Sequence, residues 1–297
     1  MSQVLVLGNA GIDLLLPVTR LPRPGETLMA RGLTRAPGGK GLNQAVVAAR
    51  AGAAVAFCAA IGDDPDGRLV AQALTSEHLA SLQLISMPHC TDLSVVLVGE
   101  DAENSIVSAG PCADSLDAVA AAEFALGVGP GDVLLMQGNL SQAATLAAAR
   151  AAAEREARVV LNLAPLRWPA SALLPHCNVI VANKGEAGEI TGCTDPRDAA
   201  LRLHALGPAF AVVTLGGAGC VCASGGGLQI WPSKPARVVD TTGAGDTFCG
   251  VFGAALALGR DVAEAVNAAQ AAAAITVSRP GAFAALPWRA ELAPLMA

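Results

Sequence analysis

Short, continuous apolar runs recur along the chain at residues 4–7, 55–60, 133–136, 159–163, 179–181 and 211–215. Strands buried on both faces carry continuous rather than alternating hydrophobicity, so these runs predict the buried strands of a parallel sheet. Alanine-rich stretches at 41–51, 69–74, 141–155, 198–206, 246–258 and 262–276 lie between or after them and predict helices. Strand–helix alternation of this kind predicts an α/β fold with a doubly wound, mostly parallel sheet, and puts ligands at the carboxyl ends of its strands.

Two stretches break the alternation. Residues 14–36 carry Pro17, Pro22, Pro24 and Gly25 within short apolar pieces. Residues 92–108 read Ser94-Val95-Val96-Leu97-Val98, then a charged turn from Glu100 to Glu103, then Ser105-Ile106-Val107, which predicts a β-hairpin. A chain of 297 residues could form one large α/β domain or two small ones, with a substantial core in either case. With 53% hydrophobic and 15% charged residues, disorder is excluded.

Net charge of -6 and the lack of any Lys/Arg cluster argue against a nucleic-acid partner. No apolar run approaches the ~20 residues of a membrane-spanning helix. Residues 1–7 have no basic residue ahead of their apolar run, as a signal peptide would, so the expected location is cytoplasmic. The eight cysteines form no Cys-x-x-Cys pair, and the four histidines are far apart, so neither set predicts a metal site.

The candidate chemistry lies in two glycine clusters. Asp240-Thr241-Thr242-Gly243-Ala244-Gly245-Asp246-Thr247-Phe248 places small residues and then an Asp at the start of a predicted helix. Glycines leave backbone N–H groups uncovered for an anion, and the helix start adds its own free N–H groups and the positive end of its dipole. A nest that neutralises oxygen charge, with a carboxylate beside it, suits phosphoryl transfer to a hydroxyl. Taken alone, the same run also reads as a tight turn with Asp246 as a helix N-cap. Upstream, Gly38-Gly39-Lys40-Gly41-Leu42-Asn43-Gln44 opens a second predicted helix with donors for hydroxyl or phosphate oxygens. Its plainer reading is a flexible loop with a solvated Lys. Gly243-x-Gly245 lacks the third glycine of a dinucleotide fingerprint, and no Gly-Lys-Ser/Thr marks a P-loop.

Together the clusters resemble the paired signatures of the ribokinase (PfkB-type) family of sugar and nucleoside kinases. The resemblance runs nearly end to end. Pro24-Gly25-Glu26-Thr27 is similar to the family's early lid segment, and Ala60-Ile61-Gly62-Asp63-Asp64 with Asp66-Gly67 to its Gly-Asp-Asp turn. Asn183-Lys184-Gly185-Glu186 resembles its Asn-x-x-Glu motif, and Thr214-Leu215-Gly216-Gly217-Ala218-Gly219 its nucleotide-binding turn. Residues 271–281 and Pro287-Trp288-Arg289 are similar to the C-terminus of ribokinases.

The resemblance implies a ribokinase-like three-layer fold in one domain over 1–297, with a small β-sheet lid built from segments at about 14–36 and 92–108. It implies ATP-dependent phosphorylation of a sugar hydroxyl, D-ribose being the leading acceptor. Asp246 would be the base, and Gly243, Ala244 and Gly245 the anion hole. Asn183 and Glu186 would organise Mg²⁺ through its waters and the phosphates; read from the residues alone, the pair is a helix start with an acidic first turn. Thr214, Gly216, Gly217, Ala218, Gly219, Gly245, Asn267 and Gln270 would flank ATP. A monovalent cation, K⁺, would lie against Asp240, Thr242, Thr276, Arg279, Gly281 and Ala285, mostly through carbonyls; Asp240 alone also reads as a turn residue.

The implied acceptor site comprises Gly11, Asp13, Gly39, Lys40, Asn43, Asn139 and Asp246. Two positions depart from the ribokinase pattern, which has Asn where Gly11 stands and Glu where Asn139 stands. A site built on specific hydroxyl contacts discriminates strongly when they change. Asn9 is expected to compensate for Gly11 if the first strand extends far enough to put both on one face. In ribokinases the lids of two subunits pack together, which implies a homodimer. Other readings stay open at this point. The acceptor could be another sugar, a sugar acid or a nucleoside, the last disfavoured by 3% aromatics and no Tyr. A non-catalytic sugar-binding homologue would have no need of Asp246 as a base.

Overall fold

The computed structural model describes residues 2–99, 104–165 and 167–297. The charged turn expected from Glu100 to Glu103 lies outside the described residues. In chain order the strands are β1 (Gln3–Leu7), β2 (Gly11–Pro17), β3 (Thr34–Gly38), β4 (Ala54–Gly62), β5 (Ser81–Met87), β6 (Asp92–Val98), β7 (Asn104–Ala109), β8 (Val133–Gln137), β9 (Arg158–Asn162), β10 (Val179–Asn183), β11 (Phe210–Thr214), β12 (Cys220–Ser224) and β13 (Gly227–Trp231). The helices are α1 (Lys40–Arg50), α2 (Pro65–Leu74), α3 (Pro111–Ser115), α4 (Ala118–Ala125), α5 (Gln142–Glu154), α6 (Lys184–Thr191), α7 (Pro196–Ala205), α8 (Ala244–Ala257), α9 (Val262–Thr276) and α10 (Arg289–Leu292).

The main sheet runs β13-β12-β11-β10-β9-β8-β1-β4-β5, parallel from β11 through β5, with β12 and β13 antiparallel at one edge. Alternation along β1 sends Val4 and Val6 into one apolar layer and Leu5 and Leu7 into the other. The first layer is filled from α1, α8 and α9, and the second from α4, α5 and α7. The result is the three-layer arrangement expected of a doubly wound sheet. Strand order reverses at β1, which lies between β4 and β8, so the crevice at the carboxyl ends opens there.

All six expected strands form. The helices of the pattern form too, with ends shifted by a few residues. One shift matters: α8 begins at Ala244 with Gly243 as its N-cap, so Asp246 is the third helical residue and not the cap. The pattern missed β5, α3, α4, α10 and the β12–β13 hairpin, and anticipated α6 only through its start at Asn183 and Glu186.

The lid is a separate sheet of order β3-β2-β6-β7, with β2 and β6 parallel and both outer pairs antiparallel. The hairpin at 92–108 is as expected. The stretch 14–36 is strand only near its ends, and 18–33 form none. Arg35 on the lid pairs with Asp66 on α2. Because β1 ends at Leu7 and β2 starts at Gly11, Asn9 and Gly11 share no strand, and the expected alternation between them does not occur.

Candidate active site

The carboxyl ends of β8, β9, β10 and β11, the start of α1, the start of α8 and the lid enclose one cavity of about 1090 Å³. Asp246 sits near its middle, 6% exposed. Its position follows from two helix starts that face each other. Asn43 Nδ2 donates to Asp246 Oδ2 at 3.1 Å, and Gln44 Nε2 donates to Oδ1 at 3.1 Å. The same Gln44 nitrogen donates to Asn162 Oδ1 at 3.2 Å, while Gln44 Oε1 accepts from Gln137 Nε2 at 2.8 Å. Asn162 Nδ2 in turn donates to the Val181 carbonyl at 3.2 Å. This chain of buried amides ties α1 to the ends of β8 and β9 and fixes one face of the carboxylate. Gly250, one turn beyond Asp246, makes the approach possible: a Cβ there would lie 2.3 Å from Val47 Cγ1 and 2.5 Å from the Gln44 carbonyl.

The start of α8 carries no side-chain cap. Gly243 has φ 78°, a left-handed conformation that glycine adopts without strain. Among the described residues no protein group accepts from the amides of Gly245 or Asp246. The Ala244 amide points to the Thr241 carbonyl at 3.3 Å, so Ala244 is not a free donor as expected. Unpaired amides at a helix start in a cavity suit an anion, with the dipole behind them.

Toward the lid the cavity is lined by Asn9, Asp13, Gly39, Lys40, Asn43, Asp92 and Asn139. Burial, then the nearby Asp246 charge, raise the Asp13 carboxyl to about 7, against Lys40 and a hydrogen bond from Ser94. Burial works against the Lys40 ammonium, but the charges of Asp246, Glu186 and Asp13 outweigh it and raise its pKa. Gly11 is a correction. It does not line the cavity, because a Cβ there would meet the Asp92 carbonyl at 2.2 Å. Asn9 does line it, and its Oδ1 accepts from the Gly41 amide at 3.3 Å.

At the other end lie Asn183, Glu186, Thr214, Gly216, Gly217, Gly219 and Gln270. Asn183 and Glu186 form a reciprocal capping box on α6, so the helix-start reading holds as well. Asn267 is exposed, takes a hydrogen bond from Lys234 at 3.3 Å and is not a lining residue; Ala218 is also outside the cavity. Beside the α8 start, Asp240 Oδ1 accepts from Thr242 N and Oγ1 at 2.9 and 2.7 Å, and Oδ2 accepts from Gly281 N at 2.8 Å. Thr276 Oγ1 is 2.8 Å from Thr247 Oγ1. Ala285 is buried, and the Arg279 side chain turns away to pair with Glu291. The Gly-Asp-Asp turn has a structural part: Asp64 caps α2 through Gly67 N at 2.7 Å and holds the Thr91 amide at 2.7 Å.

Sequence reading missed Gln44, Gln137, Asn162 and Asp92. Gln44 lay inside the second glycine cluster, and Gln137 and Asn162 each end a strand pointing at the crevice. Polar residues at such strand ends are the available signal.

The model of the pfkB family carbohydrate kinases matches residues 1–289. The chain belongs to that family. It is 35% identical over 292 residues to the ribokinase of Haemophilus influenzae, covering 96% of this chain and 95% of that one. It is 30% identical over 296 residues to the ribokinase of Bacillus subtilis, covering 100% of each. Arabidopsis thaliana ribokinase, solved with ribose and ATP, superposes with a TM-score of 0.86 at 29% identity, covering 100% of this chain and 99% of that one. Thermotoga maritima ribokinase superposes with a TM-score of 0.88 at 27% identity, covering 99% of each. As a pfkB member the chain is a sugar kinase.

Proposed function

We propose that this sugar kinase transfers the γ-phosphoryl group of ATP to the C5 hydroxyl of D-ribose, giving ribose 5-phosphate. The observation that carries the reading is the Asp246 carboxylate, held by two amides at the uncapped start of α8 in a cavity that joins the lid to the glycine turn after β11. The family relatives named above are ribokinases, and one was solved with ribose and ATP, which supports ribose as the acceptor.

In this reading Asp246 takes the proton of the acceptor hydroxyl as it attacks. Asn43 and Gln44 donate to the carboxylate and aim it at that hydroxyl. The amides of Gly245 and Asp246, with the α8 dipole, hold the charge that grows on the transferring group. Asp13 and Asn43 hold sugar hydroxyls, and Lys40 supplies positive charge between sugar and phosphates. Gly216, Gly217, Gly219, Thr214 and Gln270 bound the nucleotide.

Among the described residues no three His, Cys, Asp or Glu side chains come together as a metal cluster. Asn183 and Glu186 line the cavity beside the glycine turn and would hold a phosphate-borne Mg²⁺ through its waters. A bound Mg²⁺ supplies charge neutralisation. A K⁺ beside the anion site fits the Asp240 loop. Asp240 accepts three hydrogen bonds, which leaves one of a carboxylate's four lone-pair sites, and the carbonyls of Thr242, Thr276, Arg279, Gly281 and Ala285 would complete the shell. A second copy of the chain packing on the lid is supported by exposed apolar side chains there: Leu21, Met29, Leu33 and Val107. The cytoplasm, where ATP is supplied, is the expected compartment; among the described residues no helix is long and apolar enough to cross a membrane.

The test is ADP release from ATP, Mg²⁺ and K⁺ with D-ribose against a no-sugar control, repeated with Asp246→Asn. Saturable release by the wild type and its loss in the variant are expected. Release without a ribose response overturns ribose as acceptor, and turnover by Asp246→Asn overturns the role of Asp246.

A further inference from the structure

Asp92 is an odd carboxylate. It opens β6 where the lid meets the body, is 4% exposed, and lines the acceptor end of the cavity. Its Oδ1 accepts from the amides of Cys112 at 2.9 Å and Ala113 at 3.4 Å, at the start of α3. Its Oδ2 is buried with no hydrogen-bond partner. Capping α3 does not require this residue, since Ser, Thr or Asn would cap with one oxygen and bury no charge. A buried carboxylate oxygen left unpaired is costly, and such an atom facing a ligand cavity is paired by the ligand where it persists.

The surroundings point the same way. Asp64 fixes the preceding residue, Thr91, through its amide and hydroxyl, so the Asp92 backbone is held from below. Gly110, another lining residue, lies beside Oδ2: a Cβ there would be 3.4 Å away. On the far side stand Asp114 and Arg167, which pair with each other, and Arg167 also donates to the Asn139 carbonyl at 3.0 Å. Asn139 Oδ1 is a second buried oxygen without a partner. Gly11 adds nothing to this wall, because the Asp92 carbonyl and Cβ fill the space a side chain there would take. Burial pushes the Asp92 carboxyl up to about 7 even with two amide donors, so its ionised form is short of hydrogen bonds. The charges it feels are Asp114 and Arg167, whereas Asp13 feels Asp246 and Lys40. Asp92 is held by the α3 amides and Asp246 by Asn43 and Gln44 of α1, so the two carboxylates stand on different walls of the acceptor site.

We propose that Asp92 is a specificity-determining residue of the acceptor site, its free carboxylate oxygen accepting a hydrogen bond from a sugar hydroxyl remote from the one phosphorylated. The inference rests on the sugar-kinase reading above. With the C5 hydroxyl of ribose at Asp246, the hydroxyl read by Asp92 is at the C1–C2 end.

The experiment compares wild type with Asp92→Asn, which keeps an oxygen for the α3 amides and removes the charge. Acceptors are D-ribose, 2-deoxy-D-ribose and 1,4-anhydro-D-ribitol, which lacks the anomeric hydroxyl. The KM for each, kcat, the KM for ATP and the thermal midpoint are measured. The expected result is a ribose KM raised by at least ~10-fold, with ATP KM unchanged, and a much smaller penalty for whichever analogue lacks the hydroxyl Asp92 reads. An unchanged ribose KM, or an equal loss on all three acceptors, overturns the proposal. Should Asp92→Asn fail to fold, Gly110→Ala puts a methyl beside Oδ2 and is expected to raise the ribose KM several-fold; an unchanged KM overturns the proposal there. A wild type that does not phosphorylate ribose overturns ribose as acceptor and not this role, and the same variants are then read on the sugar that gives saturable ADP release.

Discussion

Gln44 holds Asp246 and Asn162 with one nitrogen, at 3.1 and 3.2 Å. A side-chain amide nitrogen has two protons, so both bonds form at once, and the Gln44 oxygen is occupied by Gln137. The proposed base is thus aimed by a residue that itself has no freedom. Gln44→Ala is expected to lower kcat on the order of 10- to 100-fold with little change in either KM, since misplacement of a reacting group has about that cost. Leaving Gln137 and Asn162 short of partners should also remove about 1–3 kcal/mol of stability. Steady-state kinetics beside a chemical melt check both; an unchanged kcat would show that Asn43 alone suffices.

Asp13 and Asp92 make stability depend on pH. Both carboxyls are raised from 3.8 to about 7, first of all by burial. Between those values the folded state keeps protons that the unfolded chain has lost. Stability is therefore fully present at low pH as far as these groups are concerned, and it falls as pH rises through the window, levelling off above about 7. The lowered groups, Glu26, Asp64 and Glu291, act at more acidic pH and in the opposite sense. Thermal midpoints taken from about pH 5 to 8 should fall, and Asp13→Asn should flatten part of the slope. A midpoint that climbs over the same interval would contradict the assignment.

Gly250→Ala drives a methyl into Val47 and the Gln44 carbonyl at 2.3 and 2.5 Å. Rigid helix backbone cannot yield there without moving α1 off α8. The expected cost is about 1–3 kcal/mol, with a loss of turnover because Asn43 and Gln44 move with α1. Gly253→Ala on the same helix meets Leu135 at 3.4 Å, ordinary contact, and serves as the control with near wild-type kinetics.

Arg50 and Glu77 form a buried pair, 7% and 8% exposed, with Nη2 2.6 Å from Oε1. Arg50 also lies over the Trp288 ring at 4.0 Å and donates to the Leu286 carbonyl at 3.1 Å, tying the chain's last turns to α1. Glu77→Ala strands a buried cation and should cost about 3–5 kcal/mol, while kcat stays at the wild-type value. Denaturant melts and the ADP assay separate the two.

The parallel strands were legible because burial on both faces leaves continuous apolar runs, as at 133–136. The β12–β13 hairpin was not read, although Cys220-Val221-Cys222 and Leu228-Gln229-Ile230 flank a glycine turn; the expected nucleotide turn stops at Gly219, just before it. α4 escaped because Ala118–Ala125 is apolar nearly all round and shows no amphipathic period. In the site, Asp246 and the glycines were legible from chemistry that only a few residue types can do. The chain from Gln137 through Gln44 to Asn162 was not, because each amide is ordinary in its own segment and the contact spans 93 and 118 residues. Gly11 misled for a related reason: a motif position carries no record of the neighbouring backbone, here Asp92, that fills its space.

The bare start of α8 sets a limit on how sturdy this protein can become. A Ser, Asp or Asn cap is ordinarily worth roughly a few tenths of a kcal/mol more than glycine, and position 243 gives that up for a left-handed glycine. In the proposed mechanism a cap would seize the amides that hold the phosphoryl group, so thermal hardening at this point and turnover are opposed goals. An engineer seeking a hotter variant should therefore work elsewhere in the chain first.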